Sequence, residues 1–252
     1  MESTNVMRSI MDYTSPDFVA FTGDMIGGRI SWKWVTVLGG DWNHTQGWFE
    51  DQWRHWTSAV CERDIPYAYT LGYHDDEANL SRKEIIKLDM TNPNSLSSFY
   101  YNEFDGASNY VIPVYRSAGS TEVVLNLWFF ESMDYKCYGV DGNGCVSRNV
   151  LDWFQSTYHQ LAIDQNGVKR GLAFMHIPPQ EFLVAWDVGS WHFKCNSLNH
   201  SFSYYSPAVI DSTTVQLGVK MRRPVARHWT QAYSPHFVKR RSIIILPHWV
   251  KW

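Results

Sequence analysis

The sequence predicts an α/β sandwich with mixed sheets. Three observations carry that prediction. Short apolar runs at 18–22, 65–71 and 171–175 end on glycine or on a chemistry-bearing side chain, as buried strands do. Segments with helical apolar spacing alternate with them, which is the pattern of strands covered by helices. The chain has 252 residues, 44% apolar and 19% charged, which describes a folded domain with a substantial core.

Taken in order, Met7, Ile10 and Met11 stand at helical spacing over 5–13, leading into Pro16. Phe18–Thr22 reads as a buried parallel strand. It stops at Gly23-Asp24, with Gly27 and Gly28 following. That places a carboxylate at the carboxyl edge of a sheet, where open α/β sheets bind ligands; a turn former or helix cap is the competing reading of Asp24 by itself. Residues 29–41 carry no firm assignment. Over 44–60, Trp48, Phe49, Trp53, Trp56 and Val60 form one face of an amphipathic helix. Core packing is the expected job of that stripe, with sugar or base binding as the alternative. His44 and His55 have no ligand-like neighbours.

The second strand, 65–71, ends at Gly72 and delivers Tyr73, His74, Asp75, Asp76 and Glu77. A helix around Ser81–Leu88 opens with Ser81 and Glu84, the capping-box pair. The three acids before it suit the positive end of its dipole. Residues 91–106 read as a loop. Asn109–Tyr115 and Glu122–Glu131 are two β runs around the turn at 117–120. Cys137 and Cys145 flank a Gly-rich loop at 139–144, where a local bridge and two free thiols are both open. Val150, Leu151, Phe154, Tyr158 and Leu161 predict a helix over 147–161, and the strand at 171–176 ends at His176. Oxygen and imidazole groups arriving from separate strand ends suit divalent metals.

The pieces Phe21-Thr22-Gly23-Asp24, Leu71-Gly72-Tyr73-His74-Asp75-Asp76-Glu77 and Phe174-Met175-His176-Ile177-Pro178 with Glu181, in this order and spacing, resemble the calcineurin-like metallophosphoesterases, and most closely the purple-acid-phosphatase-like branch. Leu80-Ser81-Arg82, Ser108–Val114 and Leu127–Phe130 are similar to that branch too. The resemblance covers roughly residues 5–187. It implies a metallophosphoesterase-type α/β/β/α sandwich with mixed sheets, here incomplete, and phosphate ester hydrolysis by metal-bound hydroxide. It implies Asp24 as the bridging metal ligand, His176 as a ligand of the second metal, and His74 as the group beside the leaving oxygen. The implied cofactors are Fe, Mn, Zn or Mg ions, and the implied substrate is a phosphate-ester small molecule or a phosphoprotein.

The chain departs from the family pattern at four places. Tyr73 stands where the family has a metal-ligating asparagine, and its phenol is the candidate third ligand in that place. Gly27 stands where the purple enzymes carry their chromophoric tyrosine. No Asp-x-His pair precedes residue 17, and no Gly-His-x-His turn follows His176. The ligand count therefore falls short of two metals. An inactive or truncated relative with an incomplete site is the second expectation. An aromatic-rich carbohydrate- or polymer-binding module is the third.

At Asp187 the composition shifts. Residues 1–187 carry a net charge of −11 and residues 188–252 a net of +8. The expected division is a phosphoesterase domain over 1–187 and a basic divergent tail over 188–252, to which an altered reading frame or a splice difference would give rise. Basic pairs such as Arg222-Arg223 are too scattered to predict nucleic-acid binding. No run of about 18 apolar residues predicts a membrane span. The amino terminus has no signal-peptide pattern, leaving the cytoplasm as the default expectation. Asn43, Asn79 and Asn199 stand in glycosylation sequons.

Overall fold

The computed structural model describes residues 2–27, 42, 44–99, 106–179 and the strand at 243–246. Helix α1 (Glu2–Thr14) leads through Pro16 into strand β1 (Phe18–Phe21). Helix α2 (Trp48–Cys61), strand β2 (Tyr67–Tyr69) and helix α3 (Arg82–Asp89) follow. Then come β3 (Tyr110–Tyr115), β4 (Val123–Phe129), the hairpin β5 (Tyr135–Cys137) and β6 (Val140–Asn143), helix α4 (Arg148–Asp164), β7 (Arg170–Phe174) and β8 (Ile243–Leu246). Each helix and strand expected from spacing within the described residues is present.

The strands form two main sheets, ordered β2-β1-β8 and β3-β4-β7. The first is parallel throughout, with Ala20 level with Ala68 and Ile245. The second is mixed: β3 and β4 run antiparallel, while β4 and β7 run parallel. The period-2 alternation of β1 sorts its side chains to two faces. Phe18 and Ala20 join Ala68, Tyr110, Leu127, Phe129 and Phe174 in the layer between the sheets. Val19 and Phe21 point the other way, into a core built with Met7 and Met11 of α1, Phe49, Trp53 and Trp56 of α2, and Ile85 and Ile86 of α3. On the far side, Trp128 and Phe130 pack with Val150 and Trp153 of α4. The layer order is therefore helix, sheet, sheet, helix, which is the α/β/β/α sandwich.

Local signals explain the element ends. Ser81 opens α3, its N–H and hydroxyl both donating to Glu84. Ser147 opens α4 by accepting the Val150 N–H. The α2 aromatic stripe is buried: Phe49 is fully enclosed and Trp53 nearly so. Those rings pack on one another inside the protein (Trp53 is stacked on Phe49 and tilted against Tyr69 at 4.8 Å), so the stripe is core and not a sugar platform.

Two readings are corrected. The Gly-rich stretch at 139–144 is not an open loop; it is the β5–β6 hairpin, closed by a Cys137–Cys145 disulfide. Asp75 does not serve the α3 dipole, because that helix begins seven residues later and Asp75 is fully buried among backbone donors. Asn79 is occupied by the Phe49 N–H and Glu50. Residues 29–41, Asn43, Asn199, Glu181 and the expected boundary at 187 lie outside the described residues. Of the basic segment, only Ile243–Leu246 is described, as a strand beside β1. Among the described residues no helix is long and apolar enough to cross a membrane.

Candidate metal centre

Two strand ends meet at the centre. After β1 the chain turns at Gly23 and Asp24, both in the left-handed region with φ of 87° and 54°. After β2 it turns at Gly72. A Cβ on Gly23 would stand 2.4 Å from the Gly72 Cα, and a Cβ on Gly72 would stand 2.2 Å from the Asp24 nitrogen. Only glycine allows this approach. Asp75 then ties the two turns together. Its carboxylate accepts the N–H groups of Asp24 (2.9 Å), Met25 (3.0 Å), Ile26 (3.3 Å) and Gly72 (2.6 Å). Burial, then the Asp24 charge, push the Asp75 carboxyl above its ordinary range; the Tyr69 hydroxyl, the Gly72 N–H and the Arg82 charge work against that shift.

Asp24 is 1% exposed. Its Oδ1 accepts the His74 N–H at 2.7 Å. Its Oδ2 has no aligned hydrogen-bond partner, yet lies 3.1 Å from the His176 Nε2. His176 follows β7, and its Nδ1 is 2.8 Å from the Thr22 carbonyl. A carbonyl only accepts, so Nδ1 carries hydrogen and Nε2 is the nitrogen presented to Asp24. Burial opposes ionisation of both groups. Their mutual contact outweighs it, holding the Asp24 carboxyl below its ordinary range and the His176 imidazole above its own.

The sign of the resulting pH dependence follows. Asp24, depressed when folded, contributes stability above the free carboxyl value of about 3.9, lost as pH falls through the folded value. His176, raised when folded, contributes below the free imidazole value of about 6.5, lost as pH rises through the folded value. The melting-temperature difference between the native chain and His176→Gln is therefore expected to peak between about pH 4 and 6.5. A difference that is flat with pH would show that the pair is not charged.

His74 places its backbone on Asp24 but turns its ring elsewhere. The Nδ1 lies 2.9 Å from Glu77 Oε1. That hydrogen bond raises the imidazole pKa, against partial burial, with help from the Asp24 charge. The Tyr73 ring stands edge-on to His74 at 4.7 Å. It lines a pocket of about 280 Å³ with Asp76, Glu77, Asp134 and Tyr135. Thus the structure brings the Asp24 and His176 side chains together, sets His74 beside them through its main chain, and gives Tyr73 to the adjoining acidic pocket.

Spacing and composition give four neighbours of the pair no part in the site. Asp75 ties the turns. Arg82 and Glu131 form a buried ion pair; Arg82 Nη1 also donates to the Gly72 carbonyl at 3.0 Å. Glu131 accepts the Ala107 and Ser108 N–H groups, and Ser108 in turn accepts the Leu71 N–H. Ser132 accepts the Ile177 N–H at 2.8 Å, one residue from His176. Arg82 and Glu131 lie 49 residues apart, and no local signal pairs them.

The geometry of the donor pair suits a cation. Zinc–nitrogen and zinc–oxygen bonds run about 2.0–2.2 Å, so two neighbouring donors on one ion stand about 3 Å apart. The 3.1 Å separation of Asp24 Oδ2 and His176 Nε2 fits. So does the lack of an aligned hydrogen bond at a buried Oδ2. Among the described residues no group of three or more His, Cys, Asp or Glu side chains is placed to hold a metal. The pair fits as two donors of one cation.

Curated relatives bear on identity. The chain is 27% identical over 201 residues to "Probable inactive purple acid phosphatase 29" of Arabidopsis thaliana, covering 73% of this chain and 47% of that protein. It is 29% identical over 204 residues to "Probable inactive purple acid phosphatase 28" of the same plant, covering 74% of this chain and 47% of that protein. The chain is similar to purple acid phosphatases. A third relative, "Phosphatase DCR2" of Saccharomyces cerevisiae, is 29% identical over 189 residues, covering 70% of this chain and 29% of its own length. The chain spans about half the length of the two plant relatives. No family model and no solved structure matches it.

Proposed function

We propose that residues 1–187 carry a metal-dependent phosphoesterase centre at the Asp24–His176 pair, acting on a phosphate ester. The observation that carries this reading is the buried Asp24 Oδ2, without an aligned hydrogen bond and 3.1 Å from the imidazole nitrogen it pairs with, on a ring anchored through its other side. Such orienting of a histidine by a backbone carbonyl is what metal-ligating histidines use. A divalent cation held by this pair supplies Lewis acidity toward the phosphoryl group and hydroxide near neutral pH.

The chain's own residues supply the rest. Asp75 and the two glycines hold Asp24 in one place before any ligand arrives. The hydrogen bond to Glu77 makes the His74 imidazole hold its proton more readily than a free one. With Nδ1 committed to Glu77, its Nε2–H is the group available to the departing oxygen. Asp76, Glu77 and Asp134 line the adjoining pocket and disfavour an anionic group there.

A second reading is the same fold with little turnover. Tyr73, facing the acidic pocket in place of an asparagine ligand, favours it. So do the printed names of the two plant relatives. Titration with Mn²⁺ or Zn²⁺ and turnover of p-nitrophenyl phosphate separate the two. Active protein should lose at least about 100-fold in turnover in Asp24→Ala and in His176→Ala, the scale at which charge-stabilising groups act. Turnover retained in both variants would move the site elsewhere. Metal binding without turnover would establish the second reading.

A further inference from the structure

The β5–β6 hairpin forms a two-stranded sheet of its own. Only two residue pairs are in register, Tyr135 with Asn143 and Cys137 with Val140. Paired strands this short do not hold themselves in water. The Cys137–Cys145 disulfide closes them. Where the hairpin returns, Gly144 is pressed onto the segment that follows β4. A Cβ at Gly144 would stand 2.4 Å from the Ser132 carbonyl oxygen and 2.9 Å from the Met133 carbonyl carbon. The Gly144 N–H donates to Asp134 at 3.2 Å.

Ser132 is fully buried. Its hydroxyl accepts the Ile177 N–H at 2.8 Å. Two residues upstream, the Phe130 N–H donates to the Phe174 carbonyl at 2.9 Å. The stretch 130–132 thus fastens both sides of His176, and the disulfide-closed hairpin lies directly against it. The hairpin stem touches the same region from another side, since Asp134 and Tyr135 line the pocket shared with Tyr73 and Glu77.

We propose that the Cys137–Cys145 hairpin is a redox-sensitive clamp on the His176 loop. The disulfide keeps Gly144 seated on Ser132, and Ser132, a positioning residue, keeps Ile177 and hence His176 in register with Asp24. A dithiol reductant opens the clamp. The S–S bond breaks, two electrons and two protons pass from the dithiol to Cys137 and Cys145, and the reductant leaves as its own disulfide. This inference rests on the reading of Asp24 and His176 as a cation site.

The test uses the full chain, oxidised and then reduced with dithiothreitol, with thiol release verified by mass after alkylation. Amide hydrogen exchange at Ile177 reports the clamp without reference to activity. Isothermal titration with Mn²⁺ reports the site. On reduction, Ile177 exchange should rise about 10-fold or more while the α2 and α3 amides are unchanged, and the Mn²⁺ Kd should rise several-fold. Ser132→Ala should reproduce both effects, and reduction of Ser132→Ala should add little, because both changes cut one path. Reducing protein that is already folded avoids dependence on a Cys137→Ser/Cys145→Ser variant that fails to fold. Unchanged Ile177 exchange in fully reduced protein overturns the clamp. Faster exchange in a chain whose oxidised form binds no Mn²⁺ overturns the cation site and leaves the clamp standing.

Discussion

Replacing Asp75 by alanine is expected to destabilise the protein by about 4 kcal/mol, since each buried donor stripped of its acceptor costs about 1–3 kcal/mol and the losses are not additive. Four N–H groups, from Asp24, Met25, Ile26 and Gly72, would lose their acceptor at once. None can find water without the two turns separating, because Gly23 and Gly72 are already in contact. In a chain of this size that corresponds to a fall of roughly 8–16 °C in melting temperature. Asp75→Asn keeps the volume but sets an amide NH₂ among donors, so it should recover little. Calorimetry of both variants is the measurement. A melting temperature within about 2 °C of the native chain, on a scale of roughly 2–4 °C per kcal/mol, would mean that the strand-end turns hold themselves together.

The second large effect concerns Glu131. It is fully buried, pairs with Arg82, and accepts from Ala107 and Ser108. Arg82 is itself largely enclosed, with a side chain 11% exposed and Nη2 unpartnered. Glu131→Gln removes the charge that balances the guanidinium and should cost about 3–5 kcal/mol, the scale for breaking a buried ion pair from one side. Arg82→Met should cost a similar amount, since it leaves the carboxylate unbalanced. The Arg82→Met/Glu131→Gln double variant should then be more stable than the sum of the two losses predicts, by at least about 1 kcal/mol, because the groups touch. Urea unfolding of the four proteins measures this. Strict additivity would show that the pair is not an energetic unit and that Arg82 acts through the Gly72 carbonyl and Asp76.

Both residues stand in the sequence without being readable as partners. Arg82 sits inside a recognisable helix start, and Glu131 at the end of a β run. Neither spacing nor composition joins positions 49 residues apart. Asp75 is legible as an acid in a loop before a helix, and a place near the α3 dipole is reasonable local physics for it. That expectation fails because the loop folds back to meet the β1 turn, where four backbone donors await an acceptor. The strand ends at Asp24 and His176 are legible together and not singly: one such end is ordinary turn punctuation, whereas several in this order and spacing point to a site. The orientation of His74 is not legible, since Glu77, three residues on, captures its ring. The cysteine pair is equally open to a bridge or to two thiols until the hairpin brings its strands into register.

What the sequence by itself determined is the set of elements and their order. Apolar period, capping residues and glycine turns are local, and local free energy is enough to set them. It also determined which strand ends carry metal-type side chains. Tertiary structure alone decided which of those side chains meet. Asp24 and His176 touch only because two sheets stack and two glycines let the strand-end turns close. Contacts between positions so far apart rest on packing and on buried donors finding acceptors, and neither is written at any one place in the chain.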